Sequence, residues 1–153
     1  MNQELAKRLK LAALDLDAQR PLRYRFAYAC ADRVRHLLED PRAIALLDVL
    51  RAYVGGHADE SALTSAAADA AVVANHHRGS KSIDGAGHSA VSATYAVAAA
   101  LAGKAQDAAE YAAYSIVYGY GGYAVNDPDA FAPEYAWQIE ALESLLTTQT
   151  SLH

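Results

Sequence analysis

The chain has 153 residues, which suffices for one hydrophobic core, and its single cysteine excludes both an intramolecular disulfide and a zinc site built on thiolates. The net charge of −5 is uneven, since residues 1–60 carry ten basic and nine acidic side chains whereas residues 61–153 carry three and nine. An acidic second half disfavours nucleic-acid binding and is suited either to steering a basic protein partner or simply to solubility.

No segment has the pattern of a membrane or export signal. The N-terminal stretch MNQELAKRLKLAALDLD is charged throughout and lacks the apolar run of a secretory signal. The longest wholly apolar run, AVAAALA at residues 96–102, is far shorter than the ~20 residues that span a bilayer. We therefore expect a soluble, cytoplasmic protein without membrane contact.

The first half of the chain predicts three helices. Thirty-six alanines and few β-branched residues indicate an all-α fold. Leu5 lies in a first helix, and Pro21 introduces a second. Asp40 and Pro41 predict the start of a third, because a capping side chain followed by proline at the first helical position favours initiation. That helix is expected to stop at residues 55–56, a glycine pair.

The middle of the chain predicts three more helices. Ser61 is a plausible cap for a fourth helix that runs towards His77. A fifth is expected from near Asp84 to Gly103, and a sixth over about residues 104–118. The last two are dominated by alanine, serine and glycine, and small side chains let helix axes approach closely. We therefore predict that the fourth, fifth and sixth helices form the packed centre.

The longest irregular connection is predicted at residues 119–133, GYGGYAVNDPDAFAP, with Pro133 opening the last helix. Its glycines favour helix termination over a phosphate-binding loop, because such loops follow a strand. The elements together predict one domain, residues 1–153, built as an array or bundle of about seven helices around an alanine-rich core.

Residues 76–88 contain half of the histidines and allow two interpretations. His77, Asp84 and His88 could converge on a metal ion, which would make the protein a small-ligand- or metal-binding helical enzyme. No pair at i, i+4 fixes these ligands on one element, so the alternative is a half-buried His88 that hydrogen-bonds a neighbouring helix. His76 and His77 would then meet the carbonyl dipole at a helix end.

The rest of the sequence does not predict catalysis. Cys30 shares a helical face with Phe26, while His36 points elsewhere, so we expect a small core residue rather than a nucleophile. Glu140 and Glu143 flank an apolar stripe and are typical of a solvated helix edge. We therefore predict a protein that is not an enzyme and has no cofactor.

Three tyrosines form the candidate partner-binding stripe. Tyr111, Tyr114 and Tyr118 are spaced i, i+3, i+7 on one helical face, and Asp107 and Glu110 lie beside them. Tyrosine is enriched at protein interfaces because it combines a large contact area with a polar tip. The alternative is that these rings fill out a thin alanine core.

Three segments carry a family resemblance over about residues 22–146: FAYACADRVRHLLEDPRAIALLDVLRAYVGGHADESAL, GAGHSAVSATYAVAAALAG and EYAWQIEAL. Their motif residues are Cys30, Arg33, Val34, Pro41, Arg42, Arg51 to Gly56, Gly87, His88, Glu134, Trp137 and Gln138. In the order and spacing of these motifs the chain resembles the Imm5-like family of immunity proteins from bacterial polymorphic toxin systems. It departs from that family where Tyr95, Ala98 and Ala99 occupy places at which members carry further histidines.

The resemblance implies a small bacterial protein that binds one cognate toxin and neutralises it without catalysis. From the acidic charge we expect no nucleic-acid partner, and we further expect a monomer or weak homodimer in which Trp137 anchors the last helix. A helical scaffold or oligomerisation domain is a further alternative, which predicts a large apolar area buried between subunits.

Overall fold

The computed structural model describes residues 2–14, 16–76 and 86–151. Within them the chain forms α-helices and no strand, which confirms the predicted all-α fold. The helices are α1 (Gln3–Leu11), α2 (Arg20–Arg33), α3 (Pro41–Val54), α4 (Glu60–His76), α5 (Ala86–Leu101), α6 (Ala105–Tyr118) and α7 (Pro128–Ser151), with 3₁₀ turns at Asp17–Gln19, Arg35–Leu37 and Gly122–Asn126. The predicted end of the fourth helix and start of the fifth, with His77 and Asp84, lie outside the described residues.

Aspartate caps determine where α3 and α4 begin. The Asp40 carboxylate accepts the backbone N–H of Arg42 at 2.9 Å, and Pro41 occupies the first helical position, as predicted. At α4 the cap is Asp59, whose Oδ1 accepts the N–H of Ala62 at 2.8 Å. The expectation of a Ser61 cap is therefore wrong, because an aspartate two positions earlier already supplies the acceptor and Ser61 lies inside the first turn.

The last helix begins at Pro128 and not at Pro133. Asp127 Oδ1 accepts the N–H of Asp129 at 3.0 Å, so the pair Asp127-Pro128 repeats the start signal of α3. Pro133 lies inside α7, where it is tolerated on an exposed face. The irregular connection is correspondingly shorter than predicted and contains the 3₁₀ turn Gly122–Asn126.

The centre of the molecule is formed by α5, α6 and α2. The most extensive helix–helix contact joins α5 and α6, in agreement with the prediction. Helix α2 packs against α3, α5, α6 and α7, whereas α4 packs mainly against α5 and α3. Helix α2 therefore takes the central place that was expected of α4. Its buried Leu22, Tyr24 and Phe26 supply the bulk that alanine-rich helices lack.

A second, smaller hydrophobic cluster lies beneath the connection between α6 and α7. It consists of the buried residues Ala113, Val117, Ala124 and Phe131, against which Tyr114, Val125, Ala130 and Tyr135 pack. This cluster fixes the first turns of α7 against the end of α6. No helix in the described part of the chain combines the length and apolar character needed to cross a bilayer.

Candidate partner-binding surface

The most exposed member of the tyrosine stripe belongs to an aromatic pair. Tyr111 on α6 is 39% exposed, and its ring stacks on that of Tyr95 on α5, with centroids 5.3 Å apart and an interplanar angle of 24°. The Tyr95 hydroxyl donates to Oδ1 of Asn75 on α4 at 3.2 Å. The pair is therefore held from three helices, with one ring presented to solvent.

The pair borders a shallow cleft of about 230 Å³ between α4, α5 and α6. Alanines of α4 and α5 form most of its floor, and the larger tyrosine rings rise above these short side chains. Lys104 and the exposed Asp107 line its other end. We call this site, defined by Asn75, Tyr95, Asp107 and Tyr111, the tyrosine cleft.

Tyr114 belongs to the smaller hydrophobic cluster and not to this surface. Its ring meets Phe131 edge to face at 5.1 Å and an interplanar angle of 76°. Burial raises the pKa of neighbouring Tyr135, and Tyr114 and the partly buried Glu110 raise it further. The core-filling interpretation of the stripe therefore describes Tyr114, whereas the interface interpretation suits Tyr111.

Tyr118 and His88 form a second stacked pair, with centroids 5.1 Å apart and an interplanar angle of 27°. The imidazole of His88 is exposed, so the expectation of a half-buried, hydrogen-bonded ring is wrong. The reason is its place in the first turn of α5, at the edge of the molecule. The three tyrosines of the stripe thus have three different environments, which helical spacing alone does not reveal.

The metal interpretation finds no support in the part of the chain that the structure describes. His77 and Asp84 lie outside it, and the described residues contain no group of three or more His, Cys, Asp or Glu side chains able to hold an ion. His76 does what its position predicts: Nδ1 donates to the carbonyl oxygen of Val72 at 2.9 Å near the end of α4.

The motif residues of α2 and α7 meet at one junction. Nε and Nη2 of Arg33 donate to the two carboxylate oxygens of Glu134 at 2.7 and 3.1 Å, and this hydrogen bonding raises the pKa of Arg33. The same guanidinium lies over the ring of Trp137, 4.3 Å from its centroid. Cys30, one turn earlier on α2, is fully buried, and burial raises the pKa of its thiol.

Gln138 extends this junction to two more helices. Its Nε2 donates to the backbone carbonyl of Ala109 on α6 at 2.7 Å, and its Oε1 accepts from Nδ2 of Asn2 at 3.3 Å. Asn2 in turn caps α1 by accepting the N–H of Leu5 at 3.1 Å. Arg33, Glu134, Trp137 and Gln138 therefore fasten α7 to α1, α2 and α6, which accounts for them structurally.

Sequence reasoning missed Tyr95 and Asn75 as parts of the site. Nothing in the spacing around Tyr95 marks it as a partner of Tyr111, and Asn75 lies 20 residues before it, on another helix. Their relation depends on how α4 packs on α5, which no local pattern encodes.

The chain was also compared with known proteins. Comparisons with models of protein families, with curated proteins and with solved structures gave no significant match.

Proposed function

We propose that this chain is a cytoplasmic immunity-type protein, which binds a basic toxin protein at the tyrosine cleft and neutralises it without turnover. The observation that carries the proposal is the exposed Tyr111 ring, stacked on Tyr95 in a cleft that the exposed Asp107 also lines. Aromatic rings next to acidic side chains complement a protein surface rich in lysine and arginine, which pairs with carboxylates and stacks on rings.

The side chain of Tyr95 is already held in place in the free protein, which favours tight binding. Immobilising a side chain at an interface costs about 0.5–1.5 kcal/mol. Tyr95 is held at its hydroxyl by Asn75 and on its face by Tyr111, so part of this cost is met in the free protein. Tyrosine is also one of the residue types enriched in interface hot spots.

The acidic side chains on and around α6 favour a basic partner. Asp107 and Glu110 lie on the same helix as Tyr111, in the half of the chain with nine acidic and three basic residues. An acidic surface accelerates association with a basic protein at low ionic strength and does so less as salt increases. Lys104 at the end of the cleft would select for a partner residue with a hydrogen-bond acceptor at that point.

The ionisable groups whose pKa values are shifted support the proposal of a binding protein without turnover. The buried thiol of Cys30 is kept protonated by its apolar surroundings, which removes the nucleophilic form. Arg33 and Arg35 are engaged by carboxylates that join elements of the fold. These shifts have structural causes, and none of them produces an acid–base pair facing a cavity.

The test uses the product of the adjacent open reading frame. Its expression alone in a bacterial host should arrest growth, and co-expression of this chain should restore growth and allow the two proteins to be purified together. Tyr111→Ala should abolish the rescue, whereas Tyr123→Ala, at a ring that is 79% exposed and outside the cleft, should preserve it. A neighbour that is harmless, or that is neutralised equally well by the Tyr111→Ala variant, would refute the proposal at this surface.

A further inference from the structure

A second, larger groove lies on helices that do not form the tyrosine cleft. It runs between α2, α3 and the middle of α7 and encloses about 1030 Å³. We call it the arginine groove and define it by Arg25, Tyr28, Arg51, Val54, Trp137 and Leu145. This volume lies at the upper end of the ~300–1,000 Å³ range of small-molecule pockets, so the groove accommodates an extended ligand.

Two arginines give the groove positive charge that is not paired with an acidic side chain of the described residues. Arg25 on α2 and Arg51 on α3 are both exposed, and neither forms an ion pair with an acidic residue in the described part of the chain. The two aspartates of the groove wall are already occupied, because Arg35 donates to Asp32 at 3.0 Å and to Asp48 at 2.8 Å. Arg25 and Arg51 are therefore left to bind an anion from outside.

The floor between these cations is largely apolar, and a third arginine holds its tryptophan in place. Trp137 is half-buried, and the guanidinium of Arg33, itself held by Glu134, covers its ring. Val54 and Leu145 add aliphatic surface on α3 and α7. A ligand suited to this floor must bring apolar side chains as well as negative charge.

We infer that the arginine groove binds an acidic polypeptide segment in which carboxylates, placed to meet Arg25 and Arg51, alternate with apolar side chains that lie on Val54, Trp137 and Leu145. Guanidinium groups bind carboxylates through paired, charge-assisted hydrogen bonds, which fix the register of such a segment. Asp32 and Asp48 share the single guanidinium of Arg35, so this wall keeps one net negative charge. It therefore disfavours a nucleic acid or a polyphosphate, which carries a negative charge on every unit, more than a peptide with spaced carboxylates.

This inference does not depend on the proposed function. The tyrosine cleft is built on α4, α5 and α6, whereas the arginine groove is built on α2, α3 and α7, and no residue lines both. The two sites therefore bind independently, and either proposal can fail while the other stands.

The test is selection from a phage-displayed library of random peptides on the immobilised full chain. The peptides enriched should combine glutamate or aspartate with leucine, valine or aromatic residues. The best peptide, synthesised with a fluorescent label, should bind Arg25→Gln/Arg51→Gln at least about tenfold more weakly, since two charge-assisted hydrogen-bonding groups are lost. Lys7→Gln/Arg42→Gln, which removes the same charge from exposed positions outside the groove, should bind like the wild type.

The outcomes separate the candidate occupants. Absence of acidic peptides among those enriched, or equal binding of the best acidic peptide by the two double variants, would overturn the inference. The inference would also be overturned if ATP or a single-stranded oligonucleotide displaced the labelled peptide at a lower concentration than the unlabelled peptide does. Tyr111→Ala should not affect peptide binding, and if the double variant unfolds, Arg51→Gln alone should still weaken it.

Discussion

Ser89 and Ser115 exchange hydrogen bonds across the contact between α5 and α6. The hydroxyl of Ser89 donates to the backbone carbonyl of Ser115 at 2.8 Å, and the hydroxyl of Ser115 donates to the carbonyl of Ser89 at 2.7 Å. Both side chains are buried. Because helices with small residues approach closely, a serine on each can reach the backbone of the other.

The two halves of this exchange should not contribute equally to stability. The N–H of Gly119 bonds to the carbonyl of Ile116, so the carbonyl of Ser115, near the end of α6, lacks its regular helical donor and depends on Ser89. The carbonyl of Ser89 lies inside α5, where the helix supplies a donor. We expect Ser89→Ala to cost about 2 kcal/mol and Ser115→Ala about 1 kcal/mol in the free energy of unfolding.

Urea unfolding of both single variants and the double variant checks this prediction. Thr148→Ala is the control, because its hydroxyl also donates to a backbone carbonyl but on an exposed helix face. Equal losses for the two serine variants would contradict the assigned asymmetry.

Among the described residues, Arg33 and Glu134 should form the ion pair that contributes most to the free energy of unfolding. The Glu134 side chain is only 6% exposed, so Arg33→Ala leaves a buried carboxylate without its partner. We expect a loss of about 2–3 kcal/mol, below the ~3–5 kcal/mol of a fully buried pair because Arg33 is 32% exposed. Glu4→Gln, which removes an exposed pair with Arg8, should cost at most about 0.5 kcal/mol. Similar midpoints of chemical unfolding for the two variants would disprove the difference.

The elements of this fold follow from local rules, but the site does not. Asp40-Pro41 predicted the start of α3, and the same rule applied to Asp127-Pro128 would have placed α7 correctly. Stacking of Tyr111 on Tyr95, by contrast, depends on the relative rotation of two alanine-rich helices. Two alanine-rich helix faces can pack at many relative rotations of similar energy. The sequence pattern of each helix therefore does not determine which face of its neighbour it contacts.

Tyr111 and Tyr114 should respond differently to truncation. Tyr114→Ala removes a ring packed on Phe131 in the smaller cluster, and we expect it to lower the free energy of unfolding by about 2–3 kcal/mol. Tyr111→Ala loses mainly one stacking contact, and we expect about 1 kcal/mol. Thermal unfolding followed by circular dichroism compares them, with Tyr123→Ala as an exposed control. A larger loss for Tyr111→Ala would place that ring in the core.

Cys30 should make stability fall at alkaline pH. Its thiol pKa is raised by complete burial in the folded state, so the folded protein keeps the proton that the unfolded chain releases above about pH 8.5. The contribution is fully present below that pH and is lost above it, with a slope approaching about 1.4 kcal/mol per pH unit. Cys30→Ala should show a shallower decline between about pH 8 and pH 10 in urea unfolding, since this variant lacks the titrating group. Parallel declines would show that the thiol is equally acidic in both states.

Pro133 should destabilise α7, so that replacing it should stabilise the protein. It lies in the second turn of the helix on an exposed face, where its ring removes the N–H that would bond to the carbonyl of Asp129. Replacement by alanine restores that donor and relieves the ring's clash with the preceding turn, although it also gives the unfolded chain more freedom. We expect Pro133→Ala to raise the free energy of unfolding by about 1–2 kcal/mol. Pro128→Ala, at the first helical position where no donor is needed, should instead be neutral or slightly destabilising. A lower melting temperature for Pro133→Ala would mean that α7 needs a bend at this point to keep Glu134 and Trp137 against Arg33.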